Sequence, residues 1–167
     1  MSLSMYQASV PIYGQILTSL SNLLKKGAAS AETRKIDPSV LLNARIAPDM
    51  FPLVRQVQTA TDHAKGSLAR LASVEIPAYP DTETTFDELQ ARIAKTLDYV
   101  KTFKPDQIDG TEDKDIVLKF GPQKFPFKGQ AYLLNFVLPN FYFHTSMAYA
   151  ILRHNGVDIG KRDFLGR

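Results

Sequence analysis

The segment Gln130–His154 constrains this chain more than any other. Apolar residues occupy nearly every side of it: Leu133, Leu134, Phe136, Val137, Leu138, Phe141, Phe143, Met147, Ile151 and Leu152. A helix that is hydrophobic all round belongs in an interior or against a partner chain. Asn155-Gly156 supplies its stop signal. Pro139 lies inside it, where its missing N–H releases the Asn135 carbonyl and a kink is expected. The rest of the chain must provide apolar faces to enclose this helix.

Three other segments have the required pattern. The first helix is predicted from about Pro11 to Lys26, with Ile12, Ile16, Leu20, Leu23 and Leu24 at helical spacing and Lys25-Lys26-Gly27 as its end. A short helix follows Asp37-Pro38 and ends near Ala44. The second long helix opens at Asp49. Met50, Val54, Val57, Thr61, Ala64, Leu68 and Leu71 then alternate steps of four and three, a seam suited to bundle packing. Pro77 and Pro80 make Glu75–Asp81 a loop. The third helix starts at Thr85, where Thr85-Phe86-Asp87-Glu88 reads as a capping box. Phe86, Leu89, Ile93, Leu97, Val100 and Phe103 form its stripe, and Pro105 marks its end.

The period then changes from helical to alternating. Ile116, Leu118 and Phe120 share one face, Gly121-Pro122 breaks the chain, and Phe125-Pro126-Phe127-Lys128 alternates again. This predicts a short β-hairpin whose second arm is an edge. Such a hairpin is marginal alone and must pack on the helices. The tail from Val157 to Arg167 is expected to be irregular. Four long helices with short connections predict an all-α four-helix bundle with the hairpin before its last long helix. A length of 167 residues suits one domain with its own core.

Composition narrows the chemistry. There is no cysteine, which excludes disulfides, iron–sulfur clusters, cysteine zinc sites and thiol catalysis. A net charge of +3 is too small to argue for nucleic acid, and Lys161-Arg162 reads as a solvated pair. There is no phosphate-binding glycine loop, GxSxG elbow or HExxH. No stretch approaches the roughly 18 apolar residues of a membrane span, and no secretion or lipidation signal is evident. The expectation is a cytoplasmic protein that engages neither nucleic acid nor membrane.

The 3 histidines are the only candidates for imidazole chemistry. His144 and Asn140 share one face of the last helix with Val137, Phe141, Ala148 and Ile151. A buried imidazole and amide must be hydrogen-bonded or coordinated. His63 sits on the second helix with Gln56, Ala60, Ser67 and Arg70 on its side, which either lines a polar cleft or faces water. Asp62 points about 100° away from His63 and is an unlikely co-ligand. His154 is about 15 Å along the axis from His144, too far to share an ion, and suits a helix C-terminus. Tyr142 and Tyr149 lie roughly opposite His144, as core or interface. For His144 with Asn140 three readings stand: a hydrogen-bonded pair that fixes helix register, a weak metal site, or a small-ligand pocket. Two histidines and an amide are a poor primary shell for zinc.

The runs Leu138-Pro139-Asn140-Phe141-Tyr142-Phe143-His144, Tyr149 to Gly156 and Gly160-Lys161-Arg162-Asp163-Phe164-Leu165 resemble a family of bacterial and fungal proteins of unknown function, DUF1993. The resemblance extends over the whole chain, including Ala60-Thr61-Asp62-His63-Ala64-Lys65 and Arg70-Leu71. That family is similar to the DinB/YfiT-like four-helix bundles, many of them homodimeric and metal-binding. The larger group carries one His on its second helix and an HxxxH pair on its last long helix, often followed by Leu-Arg-x-x-Gly. Leu152-Arg153-His154-Asn155-Gly156 matches that element, which sets His144 on the second His of the pair, Asn140 on the first and His63 on the second-helix His. The resemblance therefore implies a homodimer with a degenerate metal site of His63, Asn140 and His144. The site takes a divalent ion (zinc, nickel or iron) or none, and the thiol-transferase chemistry of some DinB-like members is in question. The alternatives are a non-catalytic bundle holding a small molecule and a homodimeric structural module.

Overall fold

The computed structural model describes residues 3–166. The first helix, α1, runs Val10–Thr33 with proline in its first turn. It does not stop at Gly27. A Cβ at Gly27 would lie 2.9 Å from Leu152 and 3.4 Å from Phe86, so the glycine lets two neighbours approach the helix closely. The helix then continues to bury Ala31. Asp37 caps α2 (Pro38–Leu42) by accepting from the Ser39 amide.

The second long helix, α3, spans Leu53–Ala72 rather than opening at Asp49. Pro52 disfavours helical backbone at the residue before it, so Asp49 to Phe51 remain outside. Val57, Thr61, Ala64, Leu68 and Leu71 of the expected seam are buried. The helix ends on Ser73 in the left-handed conformation, φ 56°. In α4 (Phe86–Lys101) the expected capping box is present: Thr85 Oγ1 accepts from the Glu88 amide and the Glu88 carboxylate accepts from the Thr85 amide. A short helix, α5 (Pro105–Ile108), leads to the hairpin of β1 (Asp115–Phe120) and β2 (Gln123–Lys128), antiparallel with Ile116 opposite Phe127 and Leu118 opposite Phe125.

The last long helical run is continuous but not uniform. It comprises α6 (Gly129–Ala131), a π-helical stretch over Tyr132–Val137, and α7 (Leu138–His154). The Leu138 amide donates to the Leu133 carbonyl five residues back. A wider turn directly before Pro139 thus takes up the disturbance that proline imposes on the helical ladder. The tail is not irregular throughout: α8 covers Lys161–Leu165, with Asp163 accepting from the Gly160 amide and paired with Lys26 of α1. Arg167 lies outside the described residues.

The fold is mostly helical. Among the described residues four helices exceed fifteen residues, and they pack α1 on α4 and α7, and α3 on α4 and α7. One apolar cluster joins them, with Tyr13, Leu17, Leu68, Leu89, Leu133, Phe141 and Ile151 fully enclosed. Tyr142 and Phe143 stand exposed, which places Tyr142 outside the core. No helix among the described residues is long and apolar enough to cross a membrane.

Candidate functional site

α3 carries the small and polar face that sequence pattern left undecided between cleft and solvent. That face meets α7. His63 and His144 lie beside each other with ring centroids 5.7 Å apart and planes inclined by 17°. His144 is buried, and Phe51 flanks its ring with centroids 6.2 Å apart and planes at 19°. Phe143 meets it edge-on at 5.3 Å. Phe136, from the π-helical turn, meets the His63 ring edge-on at 5.9 Å. The turn caused by Pro139 therefore supplies one wall of the histidine groove.

Hydrogen bonding fixes the chemical form of His144. Gln56 is buried and its Nε2 donates to the Phe51 carbonyl. Its Oε1 is then the atom facing His144 Nδ1, at 2.7 Å. An amide oxygen only accepts, so Nδ1 carries the proton and Nε2 keeps its lone pair. Burial lowers the His144 pKa, with the nearby Arg55 charge adding to the effect. Burial likewise pushes His63 down to about 4, helped by His144 and Arg70. Both rings are neutral imidazoles at neutral pH, the form that ligates metals.

Asn140 is half-buried, one turn from His144. Its Nδ2 donates to the Phe136 carbonyl at 2.7 Å, which leaves Oδ1 as its acceptor. Asp62 lines a cavity beside His63, but its carboxylate is engaged by cations. Its Oδ1 accepts from Arg92 at 2.9 Å and lies 3.1 Å from Lys65 Nζ. His154 is exposed at the far end of α7. Among the described residues no three His, Cys, Asp or Glu side chains form a cluster able to hold a metal ion. Two imidazoles are the core of the site.

Three participants escaped the sequence reading as such. Gln56 shares the His63 side of α3, seven residues before it, but its partner is 88 residues away. Phe51 lies before α3, outside any regular element, and local pattern gives no sign of its contact with His144. Arg92 interrupts the α4 stripe beside Ile93, and that departure from apolar pattern was the available signal of a buried ion pair.

Residues 5–165 match the family described as Domain of unknown function (DUF1993). No curated protein matches the chain. Among solved structures the chain is similar to a DinB family member protein from Shewanella denitrificans. That match has 38% identity and a TM-score of 0.87, covering 97% of this chain and 92% of the other. The match runs through α3, the hairpin and α7 alike, so the histidine groove lies wholly within it, and the chain belongs to the DUF1993 family of DinB-like proteins.

Proposed function

We propose that this protein is a DinB-like four-helix bundle whose groove between α3 and α7 takes a divalent cation on His63 and His144. The observation that carries this is the pairing of two neutral imidazoles at a centroid separation of 5.7 Å, one with its tautomer set by Gln56. Zinc–imidazole bonds are about 2.0–2.1 Å, so two rings sharing one ion must have nearby edges, and a centroid separation of 5.7 Å supports that reading. A hydrogen bond to the distal ring nitrogen is the usual support for a metal-ligating histidine. The donor set fits a partial coordination sphere. Asn140, one helical turn before His144, offers its Oδ1 as a further candidate donor, and the remaining positions fall to water or ligand. A bound ion would supply Lewis-acid polarisation of a ligand in the open positions. The zinc, nickel and iron(II) ions are the relevant candidates, and the degenerate donor set supports weak binding.

Calorimetric titration of the untagged, metal-stripped protein with zinc, nickel and iron(II) tests this reading. The expected result is binding in about the micromolar range, weakened about tenfold or more by His63→Ala and by His144→Ala, and unchanged by His154→Ala. No binding, or binding indifferent to both groove variants, overturns it and leaves the groove as a small-molecule cleft.

A further inference from the structure

A cavity of about 150 Å³ opens beside His63, walled by Leu118 and Phe120 of β1 and by Tyr132 and Phe136 of the π-helical turn. Arg70 lies in its lining. A cavity near this volume accepts a molecule the size of benzene.

Arg70 is placed with unusual care for a side chain that forms no ion pair. None of the ion pairs among the described residues includes it. Its Nη1 donates to the Tyr132 hydroxyl at 3.1 Å. The guanidinium folds back over Gly66, where a Cβ would stand 2.7 Å from Nη1. Glycine in a helix interior costs about 1 kcal/mol relative to alanine. A Cβ at position 66 would make the tip of the guanidinium shift from the place it holds beside Tyr132. The other charged residue of the lining, Asp62, is already engaged by Arg92 and Lys65.

We propose that this cavity binds a small monocarboxylate with a compact apolar body. The carboxylate is held by the Arg70 guanidinium and the body lies against Phe120, Tyr132 and Phe136. A planar guanidinium fork matches a carboxylate in geometry and charge. The aromatic walls match an apolar body. A phosphate dianion is disfavoured, because the single cation of the lining, Arg70, balances only one negative charge. This inference goes beyond the cation reading and does not depend on it.

The test uses the full chain, stripped of metal on a chelating resin, with benzoate as the probe and benzamide and inorganic phosphate as comparisons. Binding is followed by amide chemical shifts. The expected result is benzoate binding at about millimolar affinity or tighter, with benzamide about tenfold weaker. Arg70→Gln should weaken benzoate about tenfold with helical circular dichroism unchanged. Gly66→Ala should act in the same direction while retaining the arginine. No saturable benzoate shifts, equal affinity for benzoate and benzamide, tighter binding of phosphate, or benzoate affinity unmoved in both variants would overturn the proposal. With no metal present, its outcome is independent of the cation titration.

Discussion

At His63 the folded protein resists a proton that the unfolded chain accepts. The unfolded value is near 6.5 and the folded value about 4, with burial as the main cause. Between those values the unfolded state holds more protons, so stability rises with pH across the window and is lost as pH falls through it. His144 acts in the same direction. We expect the metal-free protein to lose about 2 kcal/mol between pH 7.5 and 4.5 through His63, read from urea midpoints. His63→Gln should remove that share of the slope; an unchanged slope would contradict the burial assigned to this ring. The histidines themselves were legible as candidates, because only three exist and His144 falls on an apolar helix face, whereas the His63 side read equally as cleft or solvent. The tautomer of His144 was not, since it depends on Gln56 and, through it, on the Phe51 carbonyl. Such a relay links residues that no local spacing rule connects.

Between elements, and together with Arg55 and Gln58 of α3, Arg92 of α4 ties the Val74–Thr84 connection to the helices. Its guanidinium donates to Thr61 Oγ1 at 2.8 Å and to the Pro80 carbonyl at 3.2 Å, and pairs with Asp62, Asp81 and Glu83. The side chain is buried, so removing it leaves three carboxylates without their shared cation. Arg92→Met is expected to cost about 3 kcal/mol in urea unfolding, and a loss below about 1 kcal/mol would show that the cluster is solvated and weak. The helices themselves were read from local rules: the Thr85 capping box and the Asp37 cap both appear where their chemistry requires. Boundaries set by tertiary contact were not. Gly27 looks like a stop until Leu152 and Phe86 are found packed against it, and the short α8 is held by Lys26–Asp163 across the surface. Pro139 announced a disturbed helix. That the disturbance takes the form of a π turn, carrying Phe136 to the His63 ring, follows from packing against α3.

For the whole molecule, the groove is a product of topology. α3 and the Gly129–His154 run bring His63 and His144 together from opposite halves of the chain, and the hairpin closes the adjoining cavity. The apolar character of the last helix made a largely enclosed position legible in advance, and Phe141, Ala148 and Ile151 are buried, but Leu134, Tyr142 and Phe143 stand exposed, which the pattern did not distinguish. Which polar face would meet it depended on how α3 is rotated, and the α3 pattern alone left that undecided. The measurement that bears most directly on this account is a nitrogen-15 NMR titration of the imidazole rings with zinc. In the metal-free protein at pH 7, both rings should be neutral and His144 should carry its proton on Nδ1. Added zinc should shift the His63 and His144 ring nitrogens together, at one common stoichiometry, while His154 stays still. Zinc shifts at only one of the two groove rings, or a His144 protonated at Nε2 in the metal-free state, would contradict a shared two-imidazole site.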